Sequence, residues 1–280
     1  MKKFFAIILA ALLLLTFASC KKIEEEGETN ENVLENESEI YEDADSGDVF
    51  TYAVNEIGTY EILDFTSKNN EPHKVEIPDE IDNIEVSGIA ADAFKVKNYI
   101  SEVVIPESVV YIGDYAFYGC NYLTKVVMAD SVKEIGIGAF DSCIALASVN
   151  ISANIKVVSE FAFRNCTALA SLTIPASVEE IQAGAFRDCE TLKELTIPET
   201  VKVIGDCAFY GCTALEKATL PAEIESCGRF VFTASKEGFK IVGEAGSWAE
   251  TYATENGHVF EAVVVETVET TAETTGETTA

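Results

Sequence analysis

The chain has 280 residues, 48% of them hydrophobic, and 48 acidic against 19 basic side chains give it a formal net charge of -29. That length holds one or two domains with a sizeable core. The charge argues against DNA, RNA or an anionic membrane surface as partner, because each would repel such a chain.

At the start, Lys2 and Lys3 precede an apolar stretch from Phe4 to Phe17. Its 14 residues are too few to span a bilayer as a helix, which needs about 20. The stretch closes on Phe17-Ala18-Ser19-Cys20, which resembles the bacterial lipoprotein signal. Phe17 departs from that pattern, where an aliphatic residue usually stands. The resemblance implies that residues 1–20 are an export signal and that Cys20 receives a diacylglyceryl group as the mature N-terminus. Two acyl chains reach the threshold for stable anchoring. The expected location is therefore extracellular, at the cell surface, with lipid at Cys20 as the sole membrane attachment. Residues 21–48 are polar and acidic without apolar periodicity, so a disordered, self-repelling tether is expected there.

A repeat dominates the body of the chain. Phenylalanine stands at Phe94, Phe117, Phe140, Phe163, Phe186, Phe209 and Phe232, each 23 residues after the last. The same period aligns Cys120, Cys143, Cys166, Cys189 and Cys212, and likewise Leu123, Leu146, Leu169, Leu192 and Leu215. A fixed period of this size signals stacked repeats. In one unit Leu195 and Ile197 alternate with Thr196 as in a half-buried strand, and Pro198 ends that strand. Val201 and Ile204 form a second extended piece, and Ala208, Phe209 and Cys212 stand at near-helical spacing. A single rung cannot bury its apolar side, so stacking must build the core. The fold class expected is a β-rich solenoid, a right-handed superhelix of 23-residue rungs with short strands and 3₁₀ or helical turns.

The unit L-x-x-[IL]-x-[IL]-P-x-[ST]-V-x-x-I-G-x-x-A-F-x-x-C-x-x-L resembles the BspA-type leucine-rich repeat of bacterial surface proteins. Residues 49–100 then read as an N-terminal cap and a first divergent repeat, with Asp79 to Asn83 as an insertion. Residues 101–238 are the solenoid, and 239–264 a C-terminal cap in which Trp248, Tyr252 and Phe260 cover the last rung. Residues 265–280, VETVETTAETTGETTA, form a Thr/Glu-rich tail expected to be disordered. Ala129-Asp130 and Ser152 replace the usual proline-flanked turn, which should be looser there. The resemblance implies a non-enzymatic adhesin or protein-binding scaffold whose partner is a host or bacterial surface protein. A glycan-binding lipoprotein and a passive envelope spacer are the alternatives.

The five cysteines of the repeated column are expected to be buried free thiols, since parallel stacking does not give the torsion a disulfide needs. The only histidines, His73 and His258, are far apart in the chain, so no zinc site is expected. No phosphate-binding loop or nucleophile–base pair stands out, so no catalytic residue, metal or cofactor is assigned. Binding is expected on the outward columns of the first strand. One reads Glu102, Lys125, Ser148, Ser171, Glu194 and Lys217, the other Val104, Val127, Asn150, Thr173, Thr196 and Thr219. Lys156, Glu179, Lys202 and Glu225 alternate in sign on the second segment, as rung-to-rung charge pairing would need. Tyr111, Tyr115, Tyr118, Phe161 and Tyr210 are placed near the far edge, where some could stack on a sugar. With both ends capped, a monomer is expected.

Overall fold

The structure is a computed structural model that describes residues 38–263. The leader, Cys20, most of the acidic segment and the Thr/Glu-rich tail lie outside the described residues.

Residues 23 apart sit over one another. Each coil runs through a first strand, a turn, a second strand of about one bridge, and a run of tight turns back to its start. Parallel pairing joins equivalent residues: Glu102 to Lys125 and Val104 to Val127 on the first strand, Tyr111 to Glu134 and Glu180 to Val203 on the second. Along the first-strand face the paired segments are His73–Glu76, Ile100–Ile105, Lys125–Met128 and Ser148–Val149, then Glu194–Thr196, Lys217–Thr219, Lys240–Gly243 and Val259–Ala262.

On the far edge the Ala-Phe dipeptide explains itself. The Phe N–H of one rung donates to the Ala C=O of the next: Phe117 to Ala139 at 2.7 Å, Phe140 to Ala162 at 2.8 Å, Phe163 to Ala185 at 2.8 Å. The expected helical turn is realised as successive i→i+3 turns, such as Tyr118 N–H to Tyr115 C=O at 3.0 Å and Cys120 N–H to Phe117 C=O at 3.2 Å. A left-handed residue interrupts them twice per rung, once at Asp92, Tyr115, Gly138, Phe161, Gly184, Cys207 and Phe230 and again at Val96, Gly119, Ser142, Asn165, Asp188, Gly211 and Ala234. Two positive-φ residues per rung prevent the run from closing into a helix.

The core is a single file of rings. From Phe94 to Phe232 every adjacent pair is stacked, with centroids 4.7 to 5.5 Å apart and planes within 13°. All seven rings are buried. Beside them runs the thiol file. Each cysteine donates its S–H to the Phe carbonyl of the preceding rung, Cys120 to Phe94 at 3.0 Å through Cys212 to Phe186 at 3.4 Å. These five cysteines are buried and free. Burial pushes the Cys120 and Cys212 thiols up to about 12 and holds Cys143, Cys166 and Cys189 well above the ordinary thiol range.

At the N-terminal end, strands Asp48–Val54 and Tyr60–Ser67 form an antiparallel hairpin, and Tyr60–Ser67 pairs with Ile84–Ile89 of the first rung. Phe50 and Phe65 close the ring file against Phe94. The expected insertion Asp79 to Asn83 falls in a small hairpin of Glu80–Ile81 against Ile84–Ile89, turned by Asp82 and Asn83 at positive φ. The acidic segment, however, gives way to structure earlier than Asp48. Residues Glu39–Glu42 pair antiparallel with the cap, and the Tyr41 ring lies 6.2 Å from Phe50. The acidic side chains of this strand have partners: the Tyr52 hydroxyl donates to Glu39 at 3.0 Å, and Lys68 pairs with Glu42. Asp48 itself is buried, 2.9 Å from His73 Nε2.

At the C-terminal end, helix Trp248–Glu255 lays Ala249, Tyr252 and Ala253 over the last rung, with Tyr252 edge-on to Phe232 at 6.0 Å. The turns without proline close at nearly the same distance as those with it: 3.4 Å for Val132 to Ala129 and 3.3 Å for Ile155 to Ser152, against 3.2, 3.1 and 3.0 Å for Val109 to Pro106, Val178 to Pro175 and Val201 to Pro198. They are tied also by side chains, with Ser152 Oγ donating to Val132 C=O and Ala153 N–H to Asp130 Oδ1.

Candidate functional site

All twelve residues of the two outward columns are exposed or half-exposed. The ladder brings Glu102, Lys125 and Ser148 side by side, Val104 beside Val127, Glu194 beside Lys217, and Thr196 beside Thr219. Ser171 and Thr173 share the face without ladder pairing, because residues 170–174 adopt no strand. Lys125 and Glu102 form a cross-rung ion pair at 2.9 Å. Asn150 is exposed yet already engaged: its Oδ1 accepts the Met128 N–H at 3.0 Å and its Nδ2 donates to the Met128 C=O.

Two rungs extend the columns beyond the repeats read from sequence. Lys74 and Glu76 pair with Glu102 and Val104, and Lys240 pairs with Lys217. Lys74 was hidden by the five-residue insertion; adding that insertion to the period places it 28 residues before Glu102, where it pairs. The outcome is a face whose middle is uncharged. The column Val104, Val127, Asn150, Thr173, Thr196 and Thr219 carries no charge, and in the two middle rungs its neighbours Ser148 and Ser171 are uncharged too, whereas the outer rungs carry Glu102, Lys125, Glu194 and Lys217 beside it.

The other faces are more self-contained. On the second segment Lys156 Nζ lies 2.7 Å from Glu179, the expected cross-rung pair. On the far edge the rings are occupied. The Tyr115 ring lies where a Cβ on Gly138 would come within 2.5 Å, and Phe161 does the same to Gly184. The Arg164 guanidinium stands 4.5 Å over Phe161, Arg187 5.0 Å over Tyr210, and Lys95 5.9 Å over Tyr115. Arg164 also pairs with Asp141, which is fully buried. Each ring thus has its own chain's cation or glycine against a face, which a stacking sugar would have to displace. Tyr111 is not on that edge. It belongs to the second strand, its ring fills the space a Gly88 side chain would take, and burial followed by a hydrogen bond to Glu61 pushes its hydroxyl up to about 12.

Among the described residues, no three His, Cys, Asp or Glu side chains are placed to hold a metal ion, and no helix is long and apolar enough to cross a membrane.

A family model for the BspA type leucine-rich repeat region, in six copies, matches residues 87–206 and 158–242, more than half of the chain. Among solved structures, a leucine-rich repeat protein from Bacteroides ovatus is 28% identical with a TM-score of 0.61, covering 70% of this chain and 54% of its own. A leucine rich cell surface protein from Faecalibacterium prausnitzii is 29% identical with a TM-score of 0.49, covering 66% of this chain and 56% of its own. The chain thus spans about half the length of these similar proteins. No curated protein matches.

Proposed function

The chain belongs to the BspA-type leucine-rich repeat family, and from that premise we propose that it is a non-catalytic, lipid-anchored scaffold at the cell surface. Its partner is a protein of the host or of another bacterium, captured on the first-strand face. The observation that carries this reading is the uncharged stripe from Val104 to Thr219. Six rungs at about 4.8 Å give it a length of about 24 Å between end rungs. A long strip of side chains repeated from rung to rung suits a macromolecule, because a small ligand needs a concave site to bury most of its surface. Uncharged, β-branched side chains also lower the desolvation cost of docking and the side-chain entropy lost on it. The acidic remainder suppresses adhesion to polyanions and so narrows the range of partners.

The test is capture by the purified protein of host matrix proteins and bacterial surface extracts, with affinity then measured on face variants. Thr173→Arg and Thr196→Arg are expected to weaken capture about tenfold or more, as charge desolvated at an interface does. Lys156→Ala on the second face is expected to leave it unchanged. Equal affinity across all three variants would remove the first-strand face from consideration. Anchoring is tested separately: Cys20→Ala should release the chain from the membrane fraction into the medium.

A further inference from the structure

The hydrogen-bonded ladders are interrupted in the middle of the stack, on both faces and at adjacent rungs. On the second-strand face, Glu134–Ile135 ends one sheet and Val157–Val158 begins another. Elsewhere on that face a regular series holds: Gly113 N–H to Ile89 C=O at 2.8 Å, Gly136 to Ile112 at 2.8 Å, Gln182 to Val158 at 2.9 Å, Gly205 to Ile181 at 2.7 Å. At the interruption Ser159 Oγ, not the Ser159 N–H, donates to the Ile135 C=O. A side-chain hydroxyl has taken the acceptor that the ladder would use. A groove of about 780 Å3 lies over this gap, lined by Lys133, Glu134, Asn154, Lys156 and Val157 among others.

On the first-strand face the same competition recurs. Ile77, Ile197 and Leu220 each donate their N–H to a main-chain carbonyl on the next rung, Val104, Thr219 and Val242 respectively. Met128 donates to the Asn150 side chain. The strand at Ser148–Val149 then stops short, and residues 170–174 pair with neither neighbour. The far edge is uninterrupted. Gly138 N–H reaches Glu160 C=O at 2.9 Å, Ser142 reaches Arg164 at 2.8 Å, and the Asp141–Arg164 pair bridges the same two rungs. The ring file also passes through unbroken, with Phe140 and Phe163 5.3 Å apart.

We propose that rungs 148–174 form a hinge, opening on the two strand faces while the far edge holds as its pivot. Free-energy differences along a stack of repeats are set by nearest-neighbour contacts, so two successive interfaces that have each lost a ladder, the first on the second-strand face and the next on the first-strand face, are where local opening begins. The hinge lies under the middle of the uncharged stripe, at Ser148, Asn150, Ser171 and Thr173. It would let that face change its curvature without parting the core. The proposal concerns the scaffold alone and holds whichever partner the face takes.

Hydrogen–deuterium exchange of the full chain tests it. Amides in 150–158 and 170–174 are expected to exchange about tenfold or more faster than their counterparts two rungs on, in 196–204 and 216–220. Far-edge amides at Phe140 and Ser142 should stay as protected as those at Phe186 and Asp188. Uniform protection on the faces would overturn the hinge. So would far-edge amides exchanging as fast as the faces, because the rung would then unfold whole. The variants Ser159→Gly and Asn150→Thr, made separately, remove the two competing side chains. Each is expected to slow exchange on its own face, and faster exchange in both would also overturn the proposal. The unmodified chain decides the question even if a variant fails to fold.

Discussion

A buried phenylalanine in this stack touches a ring above and a ring below, so its loss is felt by three rungs. Phe163 is fully buried, with Phe140 and Phe186 stacked at 5.3 and 5.4 Å. Phe163→Ala removes its transfer free energy and leaves a cavity that parallel neighbours cannot fill. The expected cost is about 3–5 kcal/mol in a chemical denaturation experiment. The thiols make a different statement. Their ionisation is suppressed by burial, with Cys120 and Cys212 raised from 9.0 to about 12 and the three between them well above the ordinary thiol range. A group whose pKa is raised on folding keeps the native state favoured below its unfolded pKa and loses that contribution as pH climbs. Stability should therefore fall from about pH 9 towards 12, each thiol contributing about 1.4 kcal/mol per pH unit to the slope. Cys166→Ala should reduce that slope by one thiol's share; an unchanged slope would show that the thiol file does not govern alkaline unfolding.

At the scale of the rung, two constraints come from the backbone. Gly228 lies where an added Cβ would come within 2.3 Å of the Asp206 nitrogen of the preceding rung. Gly228→Ala should force the rungs apart and cost about 1–3 kcal/mol. Val96 occupies a left-handed position at φ 58°, the column in which Asn165 and Gly119 also stand. A β-branched residue is poorly suited to that conformation, and Val96 is half in solvent, so little packing compensates. Val96→Asn should raise stability by about 1 kcal/mol, read as a rise of about 2–4 °C in Tm. The repeated Phe, Cys and Leu columns were legible because a buried position tolerates few residue types. The left-handed columns were not, since Asp, Tyr, Gly, Phe and Cys alternate in one of them. Backbone conformation there is imposed by the stack rather than by the residue. For the same reason Asn150 reads from sequence as an outward residue like Thr173, while its amide reaches back to Met128. Glu39–Glu42 reads as part of an acidic tether because four residues are too few to show a period, and only the contact of Tyr41 with Phe50 reveals the strand.

Across the described residues 38–263, which carry 37 of the 48 acidic side chains, charge lies around a body whose rings, thiols and aliphatic columns form one contiguous core. The hairpin of the N-terminal cap and the helix Trp248–Glu255 close the two ends of that core. The proposed binding face requires that successive units be successive rungs. The most direct measurement is a set of spin-label distances from Lys125 to Glu194, Lys217 and Lys240 in turn, with labels on unnatural side chains that leave the native thiols untouched. These positions are three, four and five rungs away in the same column. The stack predicts distances that lengthen by about 5 Å per rung. Distances that fail to lengthen in that order, or that change by unequal steps, would contradict it.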